Sequence, residues 1–167
     1  MTSVERVLEY CSIDQEPPAE IEENRRPDAH WPHQGQIVFD HVSMKHSTDI
    51  NSNFGLRHIS MTIRGSEKVG IVGRTGAGKS SLIQTMFRMG IIVEGQIKID
   101  DIDITSIGLN DLRSRISIIP QDPVLFTGTI RDNLDQFHEY SDDKIWNALE
   151  QVCLKFIIAS ISNGTLY

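Results

Sequence analysis

No apolar run among the 167 residues approaches the roughly 18 that a membrane-spanning helix needs. The start, Thr2-Ser3-Val4-Glu5-Arg6, lacks the charged n-region and apolar core of a signal peptide. Cysteine is scarce. Cys11 and Cys153 stand far apart in sequence and read as reduced thiols of a cytosolic domain rather than as a disulfide. Basic excess is missing too. The net charge is -7, and residues 1–30 alone hold eight acids against three bases. That balance excludes the basic footprint of a nucleic-acid binder. A hydrophobic share of 39% and a mean hydropathy of -0.24 fit a soluble protein. The length suffices for one domain with a real core.

What is present is concentrated in one stretch, Gly73-Arg74-Thr75-Gly76-Ala77-Gly78-Lys79-Ser80. It fits G-x-x-x-x-G-K-[ST], the P-loop or Walker A pattern. Lys68 to Val72 before it reads as a buried strand. Ser81 to Met89 after it reads as a helix, with Leu82, Ile83, Met86 and Phe87 on one face and Gly90 as its stop. Strand, glycine-rich turn and helix suit phosphate binding for local reasons. Glycines let backbone N–H groups converge, and the first-turn N–H groups of the helix are unpaired at the positive end of its dipole. Lys79 can reach β- and γ-phosphates as a point charge, and the Ser80 hydroxyl suits Mg²⁺.

The rest of the chain frames that loop. Thr2 to Cys11 has Val4, Val7, Leu8 and Cys11 at helical spacing, with Thr2 and Glu5 as a capping box. So short a helix needs a partner surface. Residues 14–33 hold four of the six prolines and read as an acidic linker. His30 and His33 are not a metal pair, having no Cys or carboxylate constellation around them. Gln36 to Met44 and Leu56 to Ile63 read as strands around a polar hairpin loop, Ser47 to Gly55. Glu94-Gly95 reads as a turn into a short strand, Gln96 to Asp100, and Asp100, Asp101 and Asp103 as a solvated turn. Leu109 to Arg115 reads as a short helix and Ile116 to Ile119 as a strand stopped by Pro120. Ile118-Ile119-Pro120-Gln121-Asp122 is not a Walker B strand, because Pro120 and Gln121 interrupt it and no acid follows Asp122. Ser141 caps a last helix whose apolar stripe, from Ile145 through Trp146, Leu149, Val152, Cys153 and Phe156 to Ile157, continues to about residue 158. Asn163-Gly164 marks a final turn.

Two long motifs then carry a resemblance, Glu67 to Leu82 and Ile118 to Leu134, supported by Ser3-Val4-Glu5-Arg6 and Trp31-Pro32-His33-Gln34-Gly35. The chain resembles the nucleotide-binding domain of an ABC transporter. More narrowly, it is similar to the N-terminal part of the second such domain in the C subfamily, the multidrug-resistance-associated-protein type. The resemblance implies an α/β P-loop NTPase fold with an antiparallel β subdomain. It implies residues 1–33 as a connector from a membrane domain and 34–167 as a partial nucleotide-binding domain. ATP and Mg²⁺ would be the ligands. Gly73, Arg74, Thr75, Gly76, Ala77, Gly78, Lys79, Ser80 and Ser81 would form the phosphate cradle. Ser80 and Gln121, the Q-loop glutamine, would ligate the metal. The family's adenine-stacking aromatic falls at His46, whose imidazole offers less area than tyrosine. Transmembrane domains and a second nucleotide-binding domain would be the partners, with this segment on the cytoplasmic side of a membrane.

The family's LSGGQ-type signature, its apolar strand ending in Asp-Glu and its switch histidine do not occur in these 167 residues. The resemblance therefore implies no catalytic residue in the chain, poor nucleotide binding and almost no hydrolysis. It also implies a truncated domain with exposed strand edges and apolar faces, and a departure from family sequence over 158–167. Other readings fare worse. A GTPase needs Asn-Lys-x-Asp, which is absent, and Arg113, Arg115 and Arg131 are too scattered for a small kinase's lid. A truncated, non-hydrolytic regulator of a transporter is the remaining alternative.

Overall fold

The computed structural model describes residues 3–13, 15–49 and 51–161, for Ser3 the backbone alone. The chain falls into two compact units, one ending at Ile118 and the other beginning at Ile119.

The first unit is built on a four-stranded antiparallel sheet in the order β2-β1-β3-β4. β1 (Ile37–Lys45) is paired on both edges, with β2 (Phe54–Ile63) and β3 (Ile91–Ile99). The two-residue β4 (Ile102–Asp103) lies beyond β3. This is the antiparallel β part that the resemblance implies. Alternation along β1 is interrupted: Phe39 and Val42 are both buried because His41, at φ 49°, lies where the register slips. An extra residue in a strand turns later side chains to the other face. Gly95 answers it across the sheet. Its φ is 75°, and a Cβ there would collide with the carbonyl oxygens of Asp40 and His41. Glu94-Gly95 thus lies within β3, facing the extra residue of β1, and is not a turn before the strand.

The core gathers Phe39, Val42, Met44, Leu56, Ile97, Ile99, Ile104 and Leu112. α2 (Lys79–Met86) packs on it through Leu82 and Thr85, with Phe87 just beyond, while Ile83 stays 40% exposed. Gly90 does not end this helix. Arg88 takes the left-handed position (φ 53°), its N–H donates to Thr85 O, and Met89 N–H donates to Gln84 O. That is a Schellman closure without glycine. The Arg88 guanidinium holds the conformation by donating to Ile104 O (3.1 Å) and Ile107 O (2.8 Å). Gly90 instead makes room for Met44, whose Sδ would lie 2.6 Å from a Cβ.

The proline-rich stretch is docked onto this unit. Leu109 N–H donates to Pro18 O and Asn110 N–H to Ala19 O, closing the start of α3 (Leu109–Arg113). Glu16 takes both terminal nitrogens of Arg113, at 2.7 and 3.0 Å. Trp31 is buried at 2% exposure and donates its Nε1–H to Ile99 O at 3.1 Å. Asp100 anchors the end of this stretch and is not simply a solvated turn residue: its carboxylate accepts the N–H groups of Gln34, Gly35 and Gln36 at 2.8–3.0 Å. α1 (Ser3–Cys11) forms as expected, with Val4, Val7 and Leu8 all exposed; Thr2, its expected cap, lies outside the described residues.

Two expected strands are not strands. Residues 68–72 and 116–119 belong to no sheet, and Val72 and Ile119 are 98% and 95% exposed. A strand needs a neighbour to take its N–H and C=O groups, and among the described residues neither segment has one. The exposed apolar faces that the resemblance implies are therefore present.

In the second unit, α4 (Ile130–Leu134) is closed by a Thr129–Asp132 capping box. The single last helix expected from the stripe is two, α5 (Asp142–Gln151) and α6 (Lys155–Ile161). Cys153, at φ 60°, breaks it, and Leu154 N–H turns back to Leu149 O. Of the stripe only Ile145 and Leu149 are buried, against Ile130, Trp146 and Ile158. Ser141 precedes α5 without a side-chain cap bond, and the Asn163-Gly164 turn lies outside the described residues. Cys11 and Cys153 are both free and exposed.

A polar clasp ties α4 to α5. Arg131, 5% exposed, donates to Asp135 (2.8 Å), Asp142 (2.9 Å) and Tyr140 O (2.6 Å). The Arg131 bond outweighs the upward push of burial and, with the N–H groups of Tyr140 and Glu139, holds Asp135 down at about 2. A carboxyl depressed by folding stabilises the fold fully above its ordinary value of 3.8, and that stability is lost as pH falls through about 2. Denaturation of the full chain at about pH 5 and about pH 3 is therefore expected to show a smaller pH loss in Asp135→Asn than in wild type. Equal losses would mean the clasp does not persist in solution.

Candidate functional site

The Gly73–Ser80 loop has the backbone that its glycines permit. Gly76 and Gly78 sit at φ 79° and 87°, where a side chain is strained. Ala77 N–H donates to Arg74 O at 3.2 Å, closing a turn over residues 74–77. Gly78 is the N-cap of α2, and its carbonyl accepts the Leu82 N–H at 3.0 Å. The N–H groups of Lys79, Ser80 and Ser81 thus belong to the first turn, where helix geometry supplies no acceptor.

Lys79 is folded over the loop, donating to Gly73 O at 2.7 Å and Arg74 O at 2.8 Å. A phosphate at the loop can compete for this ammonium, since a charge-assisted bond to an anion is stronger than one to a neutral carbonyl. Gly73, Arg74, Thr75, Gly76, Ala77 and Ser80 are exposed, and Lys79 and Ser81 half-buried. A Cβ at Gly76 meets nothing within 4 Å, so the loop's outer side is open to a ligand.

His46 joins this group. It follows β1 directly, and its Nε2 lies 3.2 Å from Ser81 Oγ, the donor depending on the imidazole tautomer. Ser81 O in turn accepts the Thr85 hydroxyl at 2.6 Å, so α2 holds Ser81 from below. Gln121 is exposed in the second unit, in a segment without helix or strand. One residue escaped the reading of the sequence. Gly55 looks like the end of a polar hairpin loop, yet it opens β2 beside the glycine loop: its carbonyl would lie 3.1 Å from a Cβ at Gly78. Nothing in the local pattern marks it, since the contact joins residues distant in sequence.

The donor set fits a polyphosphate with Mg²⁺. The first-turn N–H groups of α2 and the Lys79 ammonium adjoin the same loop, and Ser80 offers an exposed hydroxyl. Among the described residues no group of three or more His, Cys, Asp or Glu could hold a metal ion. Mg²⁺ commonly takes phosphate oxygens and water with one or two protein ligands, which suits a site of this kind.

Comparison with known proteins agrees with this chemistry. The family described as ABC transporter matches residues 56–165, most of the chain. The probable multidrug resistance-associated protein lethal(2)03659 of Drosophila melanogaster is 48% identical over 98% of the chain. ATP-binding cassette sub-family C member 4 of Mus musculus is 53% identical over 96% of it. The vacuolar heme ABC transmembrane exporter abc3 of Schizosaccharomyces pombe is 49% identical over 97%. The chain spans only 11–12% of the length of these relatives. Because the family match runs to residue 165, the expected departure from family sequence over 158–167 is not upheld.

Gly78 is both left-handed and tightly packed, whereas Gly76 is left-handed in open space. Gly78→Ala is expected to lower the unfolding free energy of the full chain by about 1–2 kcal/mol, more than Gly76→Ala. Chemical denaturation measures both, and a neutral Gly78→Ala would refute the left-handed N-cap.

Proposed function

The chain belongs to the ABC transporter family, and on that premise we propose that it is the ATP-binding portion of an exporter. In this reading it is the N-terminal part of the second nucleotide-binding domain of a sub-family C transporter. Residues 1–33 connect from a membrane domain and 34–167 form part of the nucleotide domain. The observation that carries the proposal is the loop itself: two left-handed glycines, a helix N-terminus and the Lys79 ammonium converge on one exposed cradle.

Each residue has a role in the proposal. Gly73 to Ser81 cradle the phosphates, with Gly76 and Gly78 letting the backbone turn its N–H groups outward. Lys79 leaves the carbonyls of Gly73 and Arg74 for the β- and γ-phosphates. Ser80 and Gln121 ligate Mg²⁺, and His46 meets the adenine. Mg-ATP, when bound, supplies binding energy and a transferable phosphoryl group. Phosphoryl transfer relies on positioning and charge stabilisation, and the signature, Asp-Glu strand and switch histidine that complete such a site do not occur in these 167 residues. Membrane domains and a second nucleotide domain are the partners, and the segment works on the cytoplasmic side of a membrane. Nucleic acid is not a partner. The Schizosaccharomyces pombe relative is by name a heme exporter. No described helix is long and apolar enough to cross a membrane.

Two measurements test this. Calorimetric titration is expected to show Lys79→Ala weakening Mg-ATP binding by at least about tenfold, the loss of a charged hydrogen-bond donor. Equal affinity in both proteins would remove the phosphate-cradle reading. Phosphate release by the 167 residues alone is expected to stay at background, and release that depends on Lys79 would show that the chain contains a complete catalytic set.

A further inference from the structure

Three features outside the phosphate loop invite a function: the exposed stripe of α1, the groove beside α5, and the hairpin wall of the loop. The third carries an argument. Gly55 lies where β2 begins, and a Cβ built on it would sit 2.7 Å from His46 Nε2 and 3.2 Å from His46 Cδ2. The imidazole therefore rests against bare backbone. The same Nε2 also meets Ser81 Oγ at 3.2 Å. His46 is itself exposed, so part of the ring is free to meet a ligand. Gly55 also touches the loop directly, its carbonyl abutting the Gly78 N-cap.

We propose that Gly55 is a positioning residue for nucleotide binding: by lacking a side chain it seats His46 against Ser81, where the imidazole receives the base of a nucleotide whose phosphates lie in the adjoining loop. The proposal rests on the reading of that loop as a nucleotide site. Its physical basis is geometric. An unrestrained histidine spends its rotamer freedom on binding, whereas one held between a strand and a helix offers its face already placed. A planar face adjoining a phosphate cradle holds a base by stacking, which depends on the ring's position and not on charge.

The substitution Gly55→Ala isolates this role. Gly55 has no left-handed backbone to strain, and the atoms closest to the new methyl are the tips of His46 and Met44, which can move. The full chain is titrated with Mg-ATP and, separately, with inorganic tripolyphosphate and Mg²⁺. Wild type, Gly55→Ala, His46→Ala and the double variant are compared. The expected result is a loss of about tenfold in Mg-ATP affinity for Gly55→Ala, within the range of one base–aromatic stack. Tripolyphosphate affinity stays unchanged, and Gly55→Ala costs nothing further in the His46→Ala background. Unchanged Mg-ATP affinity in Gly55→Ala overturns the proposal. So does an equal loss for both ligands, or a full additional loss in the double variant, since each makes Gly55 a general structural residue. Lys79→Ala separates the two levels. If tripolyphosphate binds wild type and Lys79→Ala alike, or binds neither, the loop reading fails and the Gly55 role fails with it. If it binds wild type alone, only the Gly55 role is at stake.

Discussion

The pairing of β1 on both of its edges is the constraint on which the first unit depends. A central strand satisfies its N–H and C=O groups in both directions and presents one face to the core. β2 and β3 do this for β1, and Phe39, Val42 and Met44 become the surface against which the rest is laid. The bulge at His41 and the glycine that faces it belong to the same constraint. The extra residue places Phe39 and Val42 on one side although they stand three positions apart, and Gly95 is the residue that can come so close to the carbonyls of Asp40 and His41.

The phosphate loop inherits its position from that sheet. α2 packs through Leu82, Thr85 and Phe87, and its start is set against the first residues of β2 by the contact of Gly78 with Gly55 and Leu56. His46 leaves the end of β1 and meets Ser81 on the same helix. One hairpin thus supplies both the wall of the loop and the aromatic group beside it. The Arg88 closure adds a second anchor at the far end of α2, through Ile104 and Ile107. Charge chemistry at the loop is local, but the direction in which it faces comes from strand pairing.

Much of this was legible in the sequence where the cause is short-range. Gly76, Gly78, Lys79 and Ser80 complete a Walker A pattern, and the left-handed turn at Gly76 and Gly78 goes with it, because backbone freedom acts within a few residues. The hairpin strands showed as apolar patterns, and the short helix expected from Leu109 is present, ending at Arg113. Other readings failed where a distant partner decides. Residues 68–72 and 116–119 have strand-like composition, yet composition cannot supply the neighbouring backbone that makes a strand. The stripe from Ile145 to Ile157 is continuous in sequence, but Cys153 turns the chain and divides it into two helices. Gly90 read as a helix stop; its place is instead taken by packing against Met44, and Arg88 makes the stop.

The sequence by itself therefore determined the Walker A pattern, the acidic proline-rich start and the kinship with ABC transporters, because motifs and composition are properties of neighbouring residues. Only the tertiary structure decided that Trp31 belongs to the core through Ile99, that Glu16 clips the proline-rich stretch to Arg113, and that Gly55, His46 and Ser81 meet. Those contacts join residues far apart along the chain. Their existence depends on how the sheet pairs and where its bulges fall, and no local pattern encodes that.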